Sequence, residues 1–482
     1  MKITNKLHST QCFVVLGAGP SGLATAYKLC ELNQHIPVFL IEKSLKVGGL
    51  SSSFEWEECK VDYGPHRLSG GLSEITNFLK LLLGSNLKKV SLTHRVFFEG
   101  HFHNFPIHLK DLVQLKTLWF GFRVLTSLIF TKLKIALFRS QLKDFDTQLK
   151  QLVGNFLHSH LINEMLQKVW PGESKDYDVK FIKIRFSVVS FIEIIRVFIR
   201  SRGLNTTENY YPVGGYGTIC EAMLEKVSKR SNFHFLPNSS INELFLNEEK
   251  NRVVGLSVIS ENSIQIITAD DFQLVSSIPL NDLASLVSIH LESESESENK
   301  ISNEPLEIVS IRLYCFLFDQ DQTLEASTFI FPNQNPRVNR LFEQNLYERS
   351  SVPLGKSLVI GDLSFIHNSI HPELLPTPEE IFADLAYLNI FDKTKLLNTT
   401  FLDIPHAYLR PSQKNSIRLK ELEQLISAIQ NVHLIGRFSA GVYNNLDYAI
   451  LSGFDLARWL VDSQETTVHG KKDWNNHHKI YG

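Results

Sequence analysis

The 482-residue sequence lacks the features that mark several common classes of protein. Its five cysteines are scattered and none belongs to a C-x-x-C pair, so it offers neither a disulfide framework nor a zinc site. Positive charge is not in excess, because 49 lysines and arginines face 51 aspartates and glutamates, and this argues against a nucleic-acid partner. We therefore expect buried free thiols, a cytoplasmic location and no bound metal.

Long uncharged apolar runs are also missing. No stretch of 18 such residues occurs and the first ten residues are polar, so we expect neither a membrane-spanning helix nor a signal peptide. The most apolar stretch, Leu118–Phe138, contains Arg123, Lys132 and Lys134 at helical spacing. Two interpretations stay open for it: a half-buried helix of a substrate-binding lobe, or a surface helix that dips into a bilayer and makes a peripheral membrane contact.

Near its start the sequence contains a complete pattern for binding a dinucleotide. The apolar residues 12–16 predict a buried parallel strand, and Gly17, Gly19 and Gly22 follow it before a predicted helix at 23–32. Gly17 permits the tight turn that leaves the strand, Gly19 lets the backbone approach a pyrophosphate, and Gly22 lets the helix pack against the strand. The order of strand, glycines and helix makes the pattern specific.

Two further features complete this pattern. Pro20 and Ser21 stand at the start of the predicted helix, where free N–H groups and the helix dipole favour phosphate. A second predicted strand, residues 37–41, ends at Glu42, which lies 20 residues beyond Gly22, where an acid accepts hydrogen bonds from the ribose hydroxyls. An acid there disfavours a 2′-phosphate, so NADP is not expected at this site.

The next segment distinguishes FAD from NAD. Residues 43–53 read KSLKVGGLSSS, and the paired glycines Gly48 and Gly49 extend the backbone along a cofactor that continues past the pyrophosphate. A short predicted hairpin then leads to the V-D-Y-G-P-H-R sequence at 61–67.

These features and three later motifs resemble those of the FAD-dependent superfamily that contains amine oxidases, protoporphyrinogen oxidases and UDP-galactopyranose mutases. In that superfamily, an acid followed by two glycines is a mark of FAD. The later motifs are YPVGGYG at 211–217, SSIPL at 276–280 and HLIGRFSAGVYNNLD at 433–447. The subgroup that the chain resembles most contains bacterial proteins similar to both protoporphyrinogen oxidase and UDP-galactopyranose mutase. Tyr448 departs from that subgroup, which often has a histidine after the aspartate.

The resemblance implies FAD as the cofactor and a set of residues that contact it. Residues near both ends of the chain contribute, because the last motif precedes a helix whose N-terminus faces the flavin. The predicted cofactor-binding residues are Gly17, Gly19, Pro20, Ser21, Gly22, Glu42, Lys43, Gly48, Gly49, Leu50, Gly64, Pro65, Gly436, Asn445, Leu446 and Asp447.

Further residues are predicted to serve the reaction. His66 and Arg437 are the predicted catalytic residues, since the resemblance implies that both lie beside the flavin ring. His66 could instead cap a turn, and Arg437 could form a structural salt bridge. Converging arginines in the substrate site would suit a diphosphate. The predicted substrate-binding residues are Arg185, Arg340, Tyr408 and Tyr443.

The fold class that follows is α/β, with a discontinuous Rossmann-like FAD-binding domain, a helical lobe and a substrate-side β-sheet. Residues 1–75, 205–285 and 405–465 are predicted to form the FAD-binding domain. Residues 76–204 are predicted to form the helical lobe and 286–404 the substrate-side sheet domain. The acidic insert Glu292–Glu298 predicts a solvated loop, and residues 466–482 predict a flexible tail.

Three functions are compatible with this reading. The first is an FAD-dependent oxidoreductase that transfers a hydride to or from flavin N5 and acts on a small, largely apolar biosynthetic intermediate. The second is a redox-neutral sugar isomerase similar to UDP-galactopyranose mutase, which uses reduced FAD. The third is a non-catalytic flavoprotein scaffold or membrane partner.

Overall fold

In the computed structural model, the described residues are 2–105, 115–138, 144–181, 208–261, 263–291, 304–367, 369 and 371–465. Arg185, the acidic insert and the C-terminal tail lie outside them. The strands are β1 Lys2–Leu16, β2 Val38–Ile41, β3 Ser53–Trp56, β4 Cys59–Asp62, β5 Leu68–Ser69, β6 Leu87–Val90, β7 His94–Phe98, β8 His101–Phe105, β9 Asn209–Pro212, β10 Phe233–Leu236, β11 Ser239–Leu246, β12 Val253–Ser260, β13 Ser263–Ser276, β14 Ile308–Phe318, β15 Thr328–Ile330, β16 Arg340–Glu343, β17 Ser357–Ile366, β18 Leu396–Leu409 and β19 Val432–Leu434.

The α-helices are interspersed among these strands. They are α1 Pro20–Leu32, α2 Ser73–Leu83, α3 Leu115–Phe138, α4 Phe145–Val153, α5 Asn155–Leu157, α6 Asn163–Val169, α7 Thr218–Val227, α8 Leu280–Leu291, α9 Gln344–Tyr347, α10 Pro378–Leu385, α11 Gln413–Ser427 and α12 Leu446–Glu465.

The first sheet is built around β1. Strands β10, β2, β1 and β13 are parallel neighbours in that order, β19 pairs in parallel with β13, and the antiparallel strands β12 and β11 extend the sheet. Alternate side chains of β1 point to opposite faces, so Phe13 and Val15 join one core while Val14 and Leu16 join another. Apolar cores on both faces explain why residues 12–16 of this strand are continuously hydrophobic.

The second sheet has the order β18-β14-β17-β16-β15-β7-β8 and is antiparallel except for the β15–β7 pair. Two of its strands, β7 and β8, lie inside the stretch 76–204 that was predicted to form the helical lobe. A turn with positive φ at Glu99 and Gly100 closes them into a hairpin, and β7 then pairs with β15. Strand β18 also continues past the predicted boundary at residue 405. These boundaries were misplaced because strand pairing over long sequence distances has no local signal.

Helices α3 to α6 pack together beside the second sheet, around a core that includes Phe145, Leu149 and Trp170. Lys168 of α6 fastens these helices to that sheet. Its Nζ donates to the backbone oxygens of Phe331, Asn333, Pro336 and Val338 at 2.8, 2.7, 2.8 and 2.6 Å.

Two expectations from composition are confirmed in the described part of the chain. All five cysteines are buried free thiols. Among the described residues, no helix combines the length and the low charge that a membrane crossing demands.

Candidate functional site

A cleft of about 610 Å³ opens where β1, α1, α8 and the start of α12 meet. Its lining comes from stretches far apart in sequence, because parallel strands place their carboxyl ends at one edge of the sheet. The N-terminal residues of three helices line it: Pro20 and Ser21 of α1, Pro279 before α8, and Asn445 and Leu446 at the start of α12. Three helix N-termini make the cleft favourable for an anion.

The three motif glycines have different roles. Gly17 has a φ of +89°, and a Cβ on Gly22 would lie 2.1 Å from the carbonyl oxygen of Gly17, so both are needed for the turn and for the packing of α1. Gly19 differs, because a Cβ there would meet no protein atom within 4 Å. It lines the open cleft, so the space beside it is free for a ligand.

The C-terminal helix is held directly against this turn. A Cβ on Gly453 of α12 would lie 2.6 Å from the carbonyl oxygen of Ser21, so a glycine allows α12 and α1 to touch. Gly436 precedes α12 with a φ of +83° and also lines the cleft. Residues from the far end of the chain therefore complete the site that the first motif begins.

Glu42 and the paired glycines form the next part of the cleft. One carboxylate oxygen of Glu42 accepts a hydrogen bond from the backbone N–H of Ala18 at 2.6 Å and the other from Ser44 at 2.8 Å, which fixes the acid at the end of β2. Gly48 donates its N–H to the oxygen of Ala18 at 2.8 Å, and both Gly48 and Gly49 have positive φ. We call Gly17, Gly19, Gly22, Gly48 and Gly49 the glycine end.

The Y-P-V-G-G-Y-G motif at 211–217 packs on β3, outside the lining of the cleft. A Cβ on Gly217 would lie 2.9 Å from the backbone nitrogen of Ser53, so this glycine allows the motif to pack on β3. Asp62 is buried and accepts hydrogen bonds from Ser53 Oγ at 2.6 Å, from the N–H of Tyr216 at 2.9 Å and from the hydroxyl of Tyr211. Burial raises the pKa of Asp62. This network fixes the ring of Tyr216.

His66 stacks on that ring, with centroids 4.8 Å apart and planes 15° apart. Burial, together with the charges of Arg340 and Arg437, lowers the pKa of His66 to about 3. Its Nε2 is buried and has no hydrogen-bond partner among the described residues. His66 is therefore neutral near pH 7, and one of its ring nitrogens lacks a hydrogen-bond partner in the described part of the chain.

Arg437 is held by backbone oxygens and aromatic rings. Its two terminal nitrogens donate to the carbonyl oxygens of Ala407 at 3.1 Å and Asn444 at 2.8 Å. The guanidinium lies 5.3 Å from the ring centroid of Tyr408 and 4.9 Å from that of Tyr443. It forms no salt bridge with a carboxylate in the described part of the chain, so the predicted alternative of a structural salt bridge finds no support there.

The charge of Arg340 also contributes to the low pKa of His66, but Arg340 is itself paired with a carboxylate. Its Nε donates to Oδ2 of the buried Asp362 at 2.8 Å. Nearby, the exposed Arg67 contacts Nε2 of His94 at 2.7 Å, and burial together with Arg67 and Arg340 lowers the pKa of His94 to about 4. We call the set His66, Arg340, Tyr408, Arg437 and Tyr443 the arginine end. Arg437 lines the cleft, and the other four lie outside its lining.

Most predicted cofactor contacts line the cleft. Among those that do not, Gly22 and Gly48 shape the backbone. Asp447 is turned away, since its carboxylate accepts from Ser69 Oγ at 3.2 Å and from the N–H of Tyr448 at 3.0 Å. Gly64 and Pro65 lie beside His66 and outside the cleft lining. The lining residues that were predicted are Gly17, Gly19, Pro20, Ser21, Glu42, Lys43, Gly49, Leu50, Gly436, Arg437, Asn445 and Leu446.

Several residues at this site were absent from the predicted cofactor- and substrate-binding sets, and two of them bear on a bound flavin. Asn444 lines the cleft, is 6% exposed, and its Nδ2 has no hydrogen-bond partner among the described residues. Trp170 packs edge-on against Tyr408 and Tyr443 at 6.3 and 6.2 Å between centroids. Asn444 could have been found as a neighbour of Asn445 in the last motif. Trp170 comes from a distant helix and has no local signal.

Comparisons with known proteins agree with this geometry. Residues 15–82 match a family model described as an NAD(P)-binding Rossmann-like domain, and a search of the curated proteins found no match. Among solved structures, a reduced UDP-galactopyranose mutase superposes with a TM-score of 0.73 at 17% identity, over 94% of each chain. A protein from Exiguobacterium sp. 255-15, provisionally named protoporphyrinogen oxidase, gives 0.64 at 14% identity over 94% of this chain and 99% of that one. Putrescine oxidase bound to putrescine gives 0.60 at 13% identity, over 95% and 100%.

The matched segment contains the glycine end, and the solved structures span nearly the whole chain. At these identities the likeness concerns the fold. The chain therefore shares the fold of these three structures, and residues 15–82 match a dinucleotide-binding domain of Rossmann type.

Proposed function

We propose that this protein binds FAD in the cleft and is a flavin-dependent oxidoreductase. The observation that carries the proposal is the continuity of the cleft from Gly19 at one end to Arg437 and Asn444 at the other. A nucleotide alone would need only the glycine end, whereas a flavin dinucleotide would extend to the arginine end. The motifs at 42–49 and 433–447, which resemble those of an FAD-dependent superfamily, support the same cofactor.

The residues present suit such a cofactor. The N-termini of α1 and α12 offer N–H groups to its diphosphate, and Glu42 stands where ribose hydroxyls would lie. The open space beside Gly19 admits the diphosphate without moving protein atoms. Asn444 offers an amide N–H₂ that has no acceptor among the described residues, and a polar ring edge would supply one.

Flavin, when bound, supplies two-electron redox chemistry, and the chain supplies position and charge. Arg437 provides a fixed positive charge at the end of the cleft, and two tyrosine rings limit its movement. His66 stays neutral, so it positions groups through one hydrogen bond and does not deliver a proton from a cationic ring near pH 7. Tyr408, Tyr443 and Trp170 pack their rings against one another beside Arg437. These features suit a small, largely apolar substrate with one polar group.

An absorption spectrum and an anaerobic titration test this proposal. The purified protein is expected to show the bands of oxidised flavin, and NADPH or an apolar amine or porphyrinogen substrate is expected to bleach them. Asn444→Ala should lower the flavin content, whereas Asn398→Ala on the exposed face of β18 should leave it unchanged. A colourless protein that cannot be reconstituted with FAD would refute the cofactor, and bound flavin that no candidate reduces would refute the oxidoreductase.

A redox-neutral sugar mutase is the second candidate, and two observations favour it. The reduced UDP-galactopyranose mutase superposes with the TM-score of 0.73 given above. In addition, the charges of Arg340 and Arg437 both lower the pKa of His66. The ion pair of Arg340 with Asp362 weakens this candidate, because it leaves one arginine for a diphosphate. If UDP-sugars perturb the spectrum of the reduced protein, the mutase replaces the oxidoreductase. If none binds, the mutase is eliminated.

We also propose a cytoplasmic location and a small-molecule substrate as the principal partner. The five buried free thiols support the location, since such thiols persist in a reducing compartment. Cell fractionation tests it, with recovery from a periplasmic or secreted fraction as the contrary result.

A further inference from the structure

Helix α3 turns apolar side chains outward, which is the reverse of an ordinary surface helix. The side that faces the protein carries small and polar residues. Ser127 Oγ accepts the N–H of Phe156 at 2.8 Å, Thr131 Oγ1 accepts the N–H of Asn155 at 3.2 Å, and the Arg123 guanidinium lies 4.1 Å from the ring centroid of Phe156. These contacts fix which face of α3 points inward.

The outward face is apolar. Its large side chains are 44% to 72% exposed and recur at the three- and four-residue spacing of one helical face. At about 100° per residue they fall within an arc of about 140°. Thr126 lies inside this arc, and its hydroxyl donates to the backbone oxygen of Phe122 at 2.9 Å, so it adds no unsatisfied polar group. The outer face of α3 consists of Trp119, Phe122, Leu125, Ile129, Phe130 and Leu133.

Basic residues border this face on both sides. On the helical wheel, Lys132 lies next to Leu125 at one edge, and Arg123 and then Lys134 follow Phe130 at the other. Both lysines are exposed. A lysine at each border of an apolar face can extend its ammonium group to lipid headgroups while the apolar side chains enter the acyl region. An ordinary protein partner would not require positive charge on both borders.

We propose that the outer face of α3 binds the surface of an anionic bilayer, with the helix lying in the plane of the membrane. The apolar side chains are buried in the acyl region of the bilayer, and the lysines are attracted to the anionic headgroups. Because no described helix can cross a membrane, this contact is peripheral. The inference concerns the surface of the protein and is independent of the reaction at the cleft.

Vesicle flotation of the full-length protein tests the proposal. We expect the protein to float with vesicles of phosphatidylcholine containing one quarter phosphatidylglycerol, and to float less with phosphatidylcholine alone or at high salt. Phe122→Ser with Phe130→Ser should lower the partition coefficient about tenfold or more. The control, Leu81→Ser with Leu354→Ser, removes two apolar side chains that are even more exposed but lie elsewhere on the protein, and it should have no effect.

Charge reversal tests the borders separately. Lys132→Glu with Lys134→Glu should weaken binding to the anionic vesicles about fivefold or more, whereas Lys226→Glu with Lys395→Glu should change it little. The flavin spectrum of each variant shows whether it is folded. Failure of the unaltered protein to float with anionic vesicles would overturn the proposal. So would a dimer in sedimentation that Phe122→Ser with Phe130→Ser converts to a monomer, because the face would then cover a second copy.

Discussion

The glycine end and the arginine end of the cleft are built in different ways. At the glycine end, backbone atoms and missing side chains define the surface, and the residues lie within about 35 positions of one another. At the arginine end, charged and aromatic side chains define it, and His66, Arg340 and Arg437 come from widely separated segments. The first is a local structure that a short motif specifies, and the second exists only after the two sheets and the helices have packed.

This difference predicts how each end responds to mutation. The glycine end is sensitive to steric change, since one methyl group added at Gly22 collides with backbone. The arginine end is sensitive to unbalanced charge and to lost packing, since its geometry depends on ion pairs and ring contacts. The following variants test whether the distinction holds.

The largest effect is expected for Gly22→Ala. The new Cβ would lie 2.1 Å from the oxygen of Gly17, so α1 must move, and we expect a loss of more than about 3 kcal/mol in stability together with loss of bound flavin. Chemical denaturation and the flavin absorbance measure both.

Gly19→Ala is the matched variant at the same end. Its Cβ meets no protein atom within 4 Å, so the apoprotein should unfold at the same denaturant concentration as the unaltered apoprotein while its affinity for FAD falls. If the apoprotein of Gly19→Ala is destabilised as strongly as that of Gly22→Ala, Gly19 serves packing and the space beside it is not a ligand site.

At the arginine end, Arg340→Met should cost about 3 kcal/mol, because it leaves the buried carboxylate of Asp362 without its ion pair. Arg337→Met is the control, since Arg337 and Asp384 form a more exposed pair, for which a loss below about 1 kcal/mol is expected. Urea denaturation measures both. Equal losses would show that the Arg340–Asp362 pair has no special structural role.

The same contrast explains what the sequence could predict. The strand–glycine–helix order and Glu42 lie close together in sequence, and the glycines act through backbone geometry that any chain of that pattern adopts. The strand pairing of β7 with β15 and the approach of Trp170 to Tyr408 depend on contacts between residues more than 200 positions apart. Asp447 was placed at the cofactor because its motif lies there, yet its carboxylate binds Ser69. A motif locates a backbone segment more reliably than it orients each side chain.

A smaller effect is expected for Lys168→Met, which tests how the arginine end is assembled. Lys168 donates to four backbone oxygens next to the second sheet, so its removal leaves buried acceptors unsatisfied at a cost of about 2–3 kcal/mol. Trp170 lies two residues further on, so turnover should fall while flavin content stays unchanged. Lys229 forms an exposed ion pair with Glu225, so Lys229→Met is the control. Loss of flavin in Lys168→Met, with turnover per bound flavin unchanged, would contradict the distinction between the two ends.

The smallest effect concerns pH and His66. The unfolded chain binds a proton at His66 with the ordinary pKa of 6.5, whereas the folded pKa is lowered to about 3, so the unfolded state binds more protons between these values. The stability that this group contributes is therefore fully present above pH 6.5 and is lost as the pH falls. His66→Phe should reduce the loss of stability between pH 7 and pH 5 by about 1–2 kcal/mol, and the exposed His35→Phe should not. Urea denaturation at the two pH values decides, and an identical pH dependence for His66→Phe and the unaltered protein would mean that the arginine end does not suppress protonation of His66.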